Sequence, residues 1–361
     1  MNFPSEAGEG FHSFPAFSCP DKERREHKMD FEKLIPEDFS GVVSVRRNGT
    51  DLFRKAYGYA DAANRRENRA DTKFPTASAG KGFTAAGILR LIEEGKLRLS
   101  DTLGSLLKRD WKAIDPNITV EQLLTHTSGI PDYFDEETME DYAELWRDYP
   151  NYKIRTSSDL LPLFLEKPML YPAGSKFQYD NTGYAVLGLI LEQISGMPFD
   201  RFLEKAVFCP LGMKNTGYYE LDRLPGNCAN AYVYDEARGG YSTNIYSVDA
   251  KGTGAGGAFT TAEDLGRFWD GLLAGALLSK ETVTRMLTPL VSDGEGHCYG
   301  YGVWFRETEP YRPFLQGEDP GVCCMTSCDL RHGVGAAVIS NFGQDVWKVH
   351  RKILTELGCV S

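Results

Sequence analysis

Ser78-Ala79-Gly80-Lys81, followed by Gly82-Phe83-Thr84-Ala85-Ala86-Gly87-Ile88-Leu89-Arg90-Leu91-Ile92, is the stretch on which the reading of this chain turns. From Phe83 to Ile92 the residues are apolar nearly all round, Arg90 excepted, which describes a helix buried at the centre of a large fold. Ser78 stands at its start, where backbone N–H groups without intrahelical partners favour developing negative charge. Lys81 follows three residues later, and nearly one helical turn brings its ammonium beside the hydroxyl. A lysine desolvated there has its pKa pushed below the free value of about 10.4, which makes a neutral amine available as proton acceptor. Taken alone, the pattern equally describes a helix cap followed by an exposed lysine. A second S-x-x-K, Ser105 to Lys108, runs into Lys108-Arg109-Asp110, a solvated segment, so context favours the first.

Upstream of that helix, Gly41 to Val45 and Leu52 to Tyr59 are β-like runs around Arg47-Asn48-Gly49-Thr50, and Asn-Gly is the strongest short hairpin signal. Downstream the character is helical, at Val120 to Leu124, Asp159 to Glu166, Thr182 to Ile194, Phe199 to Val207 and Ala262 to Leu273. Strand-like runs return at Gly300 to Phe305, Val322 to Thr326 and Gly333 to Ser340, before a terminal helix from Val346 to Leu357. Strands first, helices in the middle and strands last predict an α/β (α+β) fold: one antiparallel sheet built from both chain ends, flanked by helices, with an inserted mainly helical region. The expected division is an N-terminal extension over residues 1–29, a sheet domain over 30–76 plus 285–361, and a helical region over 77–284 carrying the Ser78 helix.

The 361 residues can bury a core, and 42% apolar with 25% charged residues describes an ordinary globular chain. Forty Lys plus Arg against 51 Asp plus Glu leaves a net charge of −11, which repels phosphate backbones and anionic membranes. No nucleic-acid partner and no membrane span are expected. Residues 1 to 20 carry Phe3, Phe11, Phe14 and Phe17 but no basic start and no continuous apolar stretch, so no signal peptide is read and the expected location is the cytoplasm. The eight cysteines, at 19, 209, 228, 298, 323, 324, 328 and 359, are scattered without Cys-x-x-Cys spacing and read as free thiols. The six histidines form no metal-binding pattern, so neither metal nor cofactor is expected.

Phe177-Gln178-Tyr179-Asp180-Asn181 precedes the apolar run Tyr184 to Leu191, and Tyr179 and Asn181, one residue apart, can present a phenol and an amide in the same direction. Tyr149-Pro150-Asn151 repeats the spacing in a polar loop with no core helix behind it. Gly252-Thr253-Gly254-Ala255-Gly256-Gly257 satisfies G-x-G-x-x-G, yet no convincing buried strand precedes it, and a nucleotide loop is not the favoured reading. His126, in Leu124-Thr125-His126-Thr127-Ser128-Gly129-Ile130-Pro131, is read as a hydrogen-bonding loop residue rather than a base.

From about residue 38 to 345 the chain resembles the serine β-lactamase and D,D-peptidase superfamily, specifically its class C β-lactamase and esterase-like branch. Besides Ser78-x-x-Lys81 and Tyr179-x-Asn181, the resemblance rests on Leu123 to Pro131, Tyr171-Pro172-Ala173-Gly174-Ser175, Pro210-Leu211-Gly212-Met213-x-x-Thr216, Gly256-Gly257 before Thr261 to Leu265, Tyr299-Gly300-Tyr301-Gly302 and Ser340-Asn341. It implies Ser78 as acylated nucleophile, Lys81 and Tyr179 sharing proton transfer, Asn181 on the substrate amide and the Ser78 N–H as half of an oxyanion hole. The family's third motif, Lys-Thr-Gly or His-x-Gly on a sheet strand, aligns with Leu315-Gln316-Gly317, so Gln316, Gly317 and Glu318 are the expected substrate contacts and the cation is missing. Glu318 and Asp319 beside it would repel a substrate carboxylate. The implied activity is hydrolysis of a small or peptide-like ester or amide through an acyl-enzyme on Ser78, with neutral or amine-bearing donors preferred over anionic β-lactams. The rival readings are a catalytically weak penicillin-binding or sensor protein and an acyltransferase.

Overall fold

The computed structural model, which describes residues 29–135, 139 and 142–360, brings both ends of the chain into one eight-stranded antiparallel sheet. Its strands are β1 (Gly41–Arg47), β2 (Thr50–Tyr57), β3 (Val291–Ser292), β4 (His297–Tyr299), β5 (Trp304–Arg306), β6 (Glu309–Asp319), β7 (Val322–Asp329) and β8 (Val334–Ser340), in the order β2-β1-β8-β7-β6-β5-β4-β3. The N-terminal hairpin docks on the C-terminal strands through β1 and β8, with Gly41 opposite Ser340 and Arg47 opposite Val334. Its turn has Asn48 and Gly49 both at positive φ, 49° and 80°, as a two-residue hairpin requires. β7 is buried at every position, as a strand covered on both faces must be, whereas β2 at the edge is largely exposed or half-exposed.

Alternate side chains feed two cores. Val43, Val45, Phe314, Met325 and Val338 meet helix α4 (Val346–Glu356) and the short turn Phe31–Leu34 on one face. Val42, Leu315, Cys324 and Ile339 meet the helical layers on the other. There α1 (Lys81–Glu93) is buried from Lys81 to Leu89 and again at Leu91, in keeping with its lack of a polar face. Phe83 of α1 packs edge-on against Phe268 of α3 (Ala262–Leu273) at 5.0 Å, and α2 (Asn181–Ser195) lies against α1 from the opposite side to the sheet.

Three of the elements that differ from the sequence reading have a local cause. The stretch Asp159 to Glu166 is a 3-10 turn over Ser157–Leu163 because Pro162 interrupts it. Gly300 to Phe305 is split: Gly300 N–H bonds Val303 O at 2.9 Å to close a turn, and only Trp304–Arg306 is strand. The longest strand, β6, was hidden by Pro310 and Pro313. Both fall where the pairing with β5 is irregular, between Arg306↔Glu309 and Trp304↔Phe314, and before the ladder with β7 begins at Phe314.

The expected N-terminal extension lies outside the described residues except for Met29, which packs on the α4 core, and Cys19 lies outside them as well. Among the described residues no cysteine is in a disulfide, and no helix is long and apolar enough to cross a membrane. One group among them has metal-ligand character, Asp329, His332 and Cys359, but Arg312 already holds the Asp329 carboxylate at 2.7 Å.

Candidate active site

The Ser78 turn is held in a conformation the chain would not adopt unaided. Between Phe74–Pro75 and α1 the residues Ala77–Gly80 form a 3-10 turn, and Ala77 has φ +48°, a left-handed value that costs a residue with a Cβ about 1–2 kcal/mol. Two clamps hold it. The 252–257 glycine segment donates Gly257 N–H to Ala77 O at 3.0 Å, and a Cβ on Gly256 would lie 2.6 Å from that same oxygen. From the sheet side β6 passes so close that a Cβ on Gly317 would stand 2.2 Å from Thr76 O and 2.6 Å from Ser78 N.

Three of the sequence motifs converge on one atom. Lys81 Nζ lies 2.9 Å from Ser78 Oγ, 2.7 Å from Asn181 Oδ1 and 2.7 Å from Ala255 O, with the Lys81 side chain buried. The ring of Tyr179 stands 4.8 Å from the same nitrogen. The glycine motif therefore serves the lysine, by carrying the Ala255 carbonyl and fitting between the Ser78 turn and α2. A Cβ on Gly254 would fall 2.2 Å from Tyr184 O.

Behind Lys81 lies a buried polar layer that the sequence reading did not anticipate. Asn181 opens α2, and Asp132 caps it from outside: Oδ2 accepts Asn181 N–H at 2.8 Å and Asn181 Nδ2 at 3.2 Å, while Oδ1 accepts Thr182 N–H and Oγ1, each at 3.0 Å. Asp180 is the side-chain N-cap, accepting Gly183 N–H at 3.1 Å. Burial pushes the Asp132 carboxyl up to about 6, and burial together with the charge of Asp132 pushes the Asp180 carboxyl well above its usual range. The only sequence signal was Asp180 at a cap position; Asp132 reaches α2 through space. His126 is buried with φ +55°, and its Nδ1 accepts Asp180 N–H at 3.1 Å, which assigns the ring proton to Nε2. Burial, then the Lys81 charge, hold this imidazole far below its ordinary range, so it is neutral and fixes the Tyr179 segment. Its ring lies 4.5 Å from that of Tyr179, and Trp304, another residue the sequence did not flag, stacks on Tyr179 at 5.8 Å.

The third motif divides between the two faces of β6. Leu315 is core: a Cβ on Gly82 of α1 would lie 2.7 Å from its Cδ2. Gln316, an expected substrate contact, turns to the opposite face, where its Oε1 accepts Trp347 Nε1–H of α4 at 2.9 Å, because successive side chains of a strand alternate. Gly317 abuts the Ser78 turn, and Glu318 and Asp319 line a cavity of about 760 Å³ together with Ser78, Asn181 and Asp249. The second S-x-x-K is exposed, with Lys108 Nζ on Gly104 O at 3.1 Å. Asn151, read as part of a polar loop, is instead buried and bonds Ile245 O and Val248 O, each at 2.8 Å.

Residues 33–353 match the family model described as Beta-lactamase. Penicillin-binding protein 4* of Bacillus subtilis (strain 168) is 28% identical over 344 residues, which are 89% of this chain and 73% of that one. The chain spans 62% of a second relative, the Putative penicillin-binding protein PbpX of the same organism, at 29% identity over 74% of this chain. Among solved structures, a penicillin binding protein from Bacillus halodurans superposes with a TM-score of 0.86 at 36% identity, covering 91% of this chain and all of that one. A D-stereospecific amidohydrolase from Streptomyces sp. shares the fold at 22% identity and a TM-score of 0.74, over 93% of this chain and 99% of that one. Matched by the family model over residues 33–353 and by a solved structure over 91% of its length, the chain belongs to the Beta-lactamase family, whose members are serine hydrolases.

Proposed function

We propose that this protein hydrolyses acyl compounds, esters or amides, through a covalent intermediate on Ser78. The observation that carries the reading is the set of partners around Lys81 Nζ. As a neutral amine, lysine has two N–H groups and one lone pair. Asn181 Oδ1 and Ala255 O take the two N–H groups, and the lone pair then faces the Ser78 hydroxyl 2.9 Å away. In acylation Ser78 Oγ bonds to the substrate carbonyl carbon and its proton passes to Lys81. The carbonyl oxygen takes up the negative charge, facing the backbone N–H groups of Ser78 and Glu318. The bond to the leaving group then breaks, Tyr179 donates the proton that group needs, and Lys81 reprotonates Tyr179. Water repeats the sequence in reverse to release the acid.

Ser78→Ala tests this. Turnover of p-nitrophenyl acetate should fall at least about 10³-fold, and the mass increment left by a fluorophosphonate on the parent protein should map to the Ser78 peptide and vanish in the variant. Retained turnover, or an adduct elsewhere, overturns the reading.

A further inference from the structure

We propose that Asp249, with Asp319, forms a binding site for a substrate ammonium group, so that the preferred acyl donors carry a free protonated amine; the proposal rests on Ser78 as the acylated residue. Asp249 lines the same cavity as Ser78. The residue is half-buried as a whole, but its Oδ1 has no contact with solvent and no hydrogen-bond partner among the described residues. A carboxylate oxygen left so is costly unless a donor arrives. The segment that carries it is fastened on both sides by Asn151, whose Nδ2 bonds Val248 O at 2.8 Å and whose carbonyl accepts Ala250 N–H at 3.3 Å. Asp319 ends β6, and the turn after it is fixed as well: Asn244 Nδ2 bonds Pro320 O at 3.0 Å, and a Cβ on Gly321 would meet Tyr232 O at 2.6 Å.

Two carboxyl residues on fixed segments thus line one cavity. Burial, and then the charge of Asp319, push the Asp249 carboxyl well above its usual range. Without a cation that carboxyl is held toward its protonated form; an incoming ammonium favours ionisation of both groups and offers them a donor. Among the described residues lining the cavity none is Lys, Arg or His, and Leu315 occupies the place where the family motif would put a cation. The adjoining wall is aromatic, with Phe342 stacked on Tyr232 at 4.7 Å and edge-on to Tyr241 at 4.9 Å, surfaces that accept a cation or an apolar side chain.

The test compares kcat/KM for phenylalanine p-nitroanilide, in both configurations, with a free, an N-acetylated and an N-succinylated amine. The free amine should lead the N-acetyl form by about tenfold or more, with the anionic succinyl form slowest. Asp249→Asn and, separately, Asp319→Asn should each cut the free-to-acetyl ratio at least about fivefold. General damage to the protein cancels in that ratio. A ratio near or below one in the parent protein, a ratio unchanged in both variants, or no cleavage of any anilide while p-nitrophenyl acetate is still turned over each overturns the ammonium site. Failure of p-nitrophenyl acetate turnover and of Ser78 labelling would instead strike the acylation reading on which it rests.

Discussion

Gly317 is the residue at which the sheet touches the chemistry. The strand must pass the Ser78 turn at a distance that leaves no room for a methyl group, since the nearest atoms, Thr76 O and the amide nitrogens of Ser78 and Ala79, are all backbone and cannot rotate away. Gly317→Ala should therefore displace β6 from Ser78 and separate the two N–H groups proposed to hold the oxyanion. The expected outcome is a loss of p-nitrophenyl acetate turnover of about 10²-fold or more with a stability loss of about 1–3 kcal/mol. Gly335→Ala on β8, whose added Cβ would find its nearest neighbours at 3.9 Å, serves as the control and should leave both nearly unchanged. Equal effects from the two substitutions would show that the close approach at Gly317 does not matter to the site.

At the scale of elements, the N-terminus of α2 is the part that organises the site. Asp132 gathers four donors from Asn181 and Thr182, and through Asn181 it sets where the Lys81 ammonium can bond. Asp132→Asn would replace one accepting oxygen with an NH₂ group facing two of those donors. The expected result is a destabilisation of about 2–4 kcal/mol and at least about a tenfold fall in kcat for p-nitrophenyl acetate with little change in KM, read by urea unfolding and steady-state kinetics. A variant with altered KM alone would contradict this positioning role. Asp132 also shows where sequence reading stops. The apolar runs of α1 and α2, the Asn48-Gly49 hairpin and the amphipathic terminal helix were legible because their signals are local. Ser78, Lys81 and Asn181 were legible by spacing and resemblance. Asp132, Trp304 and Asp249 were not, because each reaches the site across the fold and sits in a segment with no pattern of its own. Strand β6 was hidden from propensity by its two prolines, and the side chain of Gln316 was misplaced because the motif alone does not say which face of a strand a residue occupies.

At the scale of the whole molecule, the sheet depends on α4 to cover the face away from the active site, and that closure carries a pH dependence of its own. His350 of α4 is buried, with its Nε2 2.8 Å from Ser327 Oγ on β7. Burial, then the charges of Arg312 and Arg306, push its ring down to about 3. The folded protein therefore keeps this imidazole neutral, while the unfolded chain takes up a proton near pH 6.5. Between those two values the unfolded state binds one more proton than the folded state, so stability is fully present above about pH 6.5 and is lost as the pH falls, by about 1.4 kcal/mol per unit well inside the window. In His350→Gln the amide can still hydrogen-bond the Ser327 hydroxyl but cannot titrate. The difference in unfolding free energy between parent and variant, measured by urea denaturation at pH 7, 6, 5 and 4, should stay constant above pH 6.5 and then shift against the parent at about that slope on acidification. The other titrating groups are the same in both proteins and cancel, so a difference independent of pH would mean that His350 takes up its proton in the folded protein as readily as in the unfolded chain.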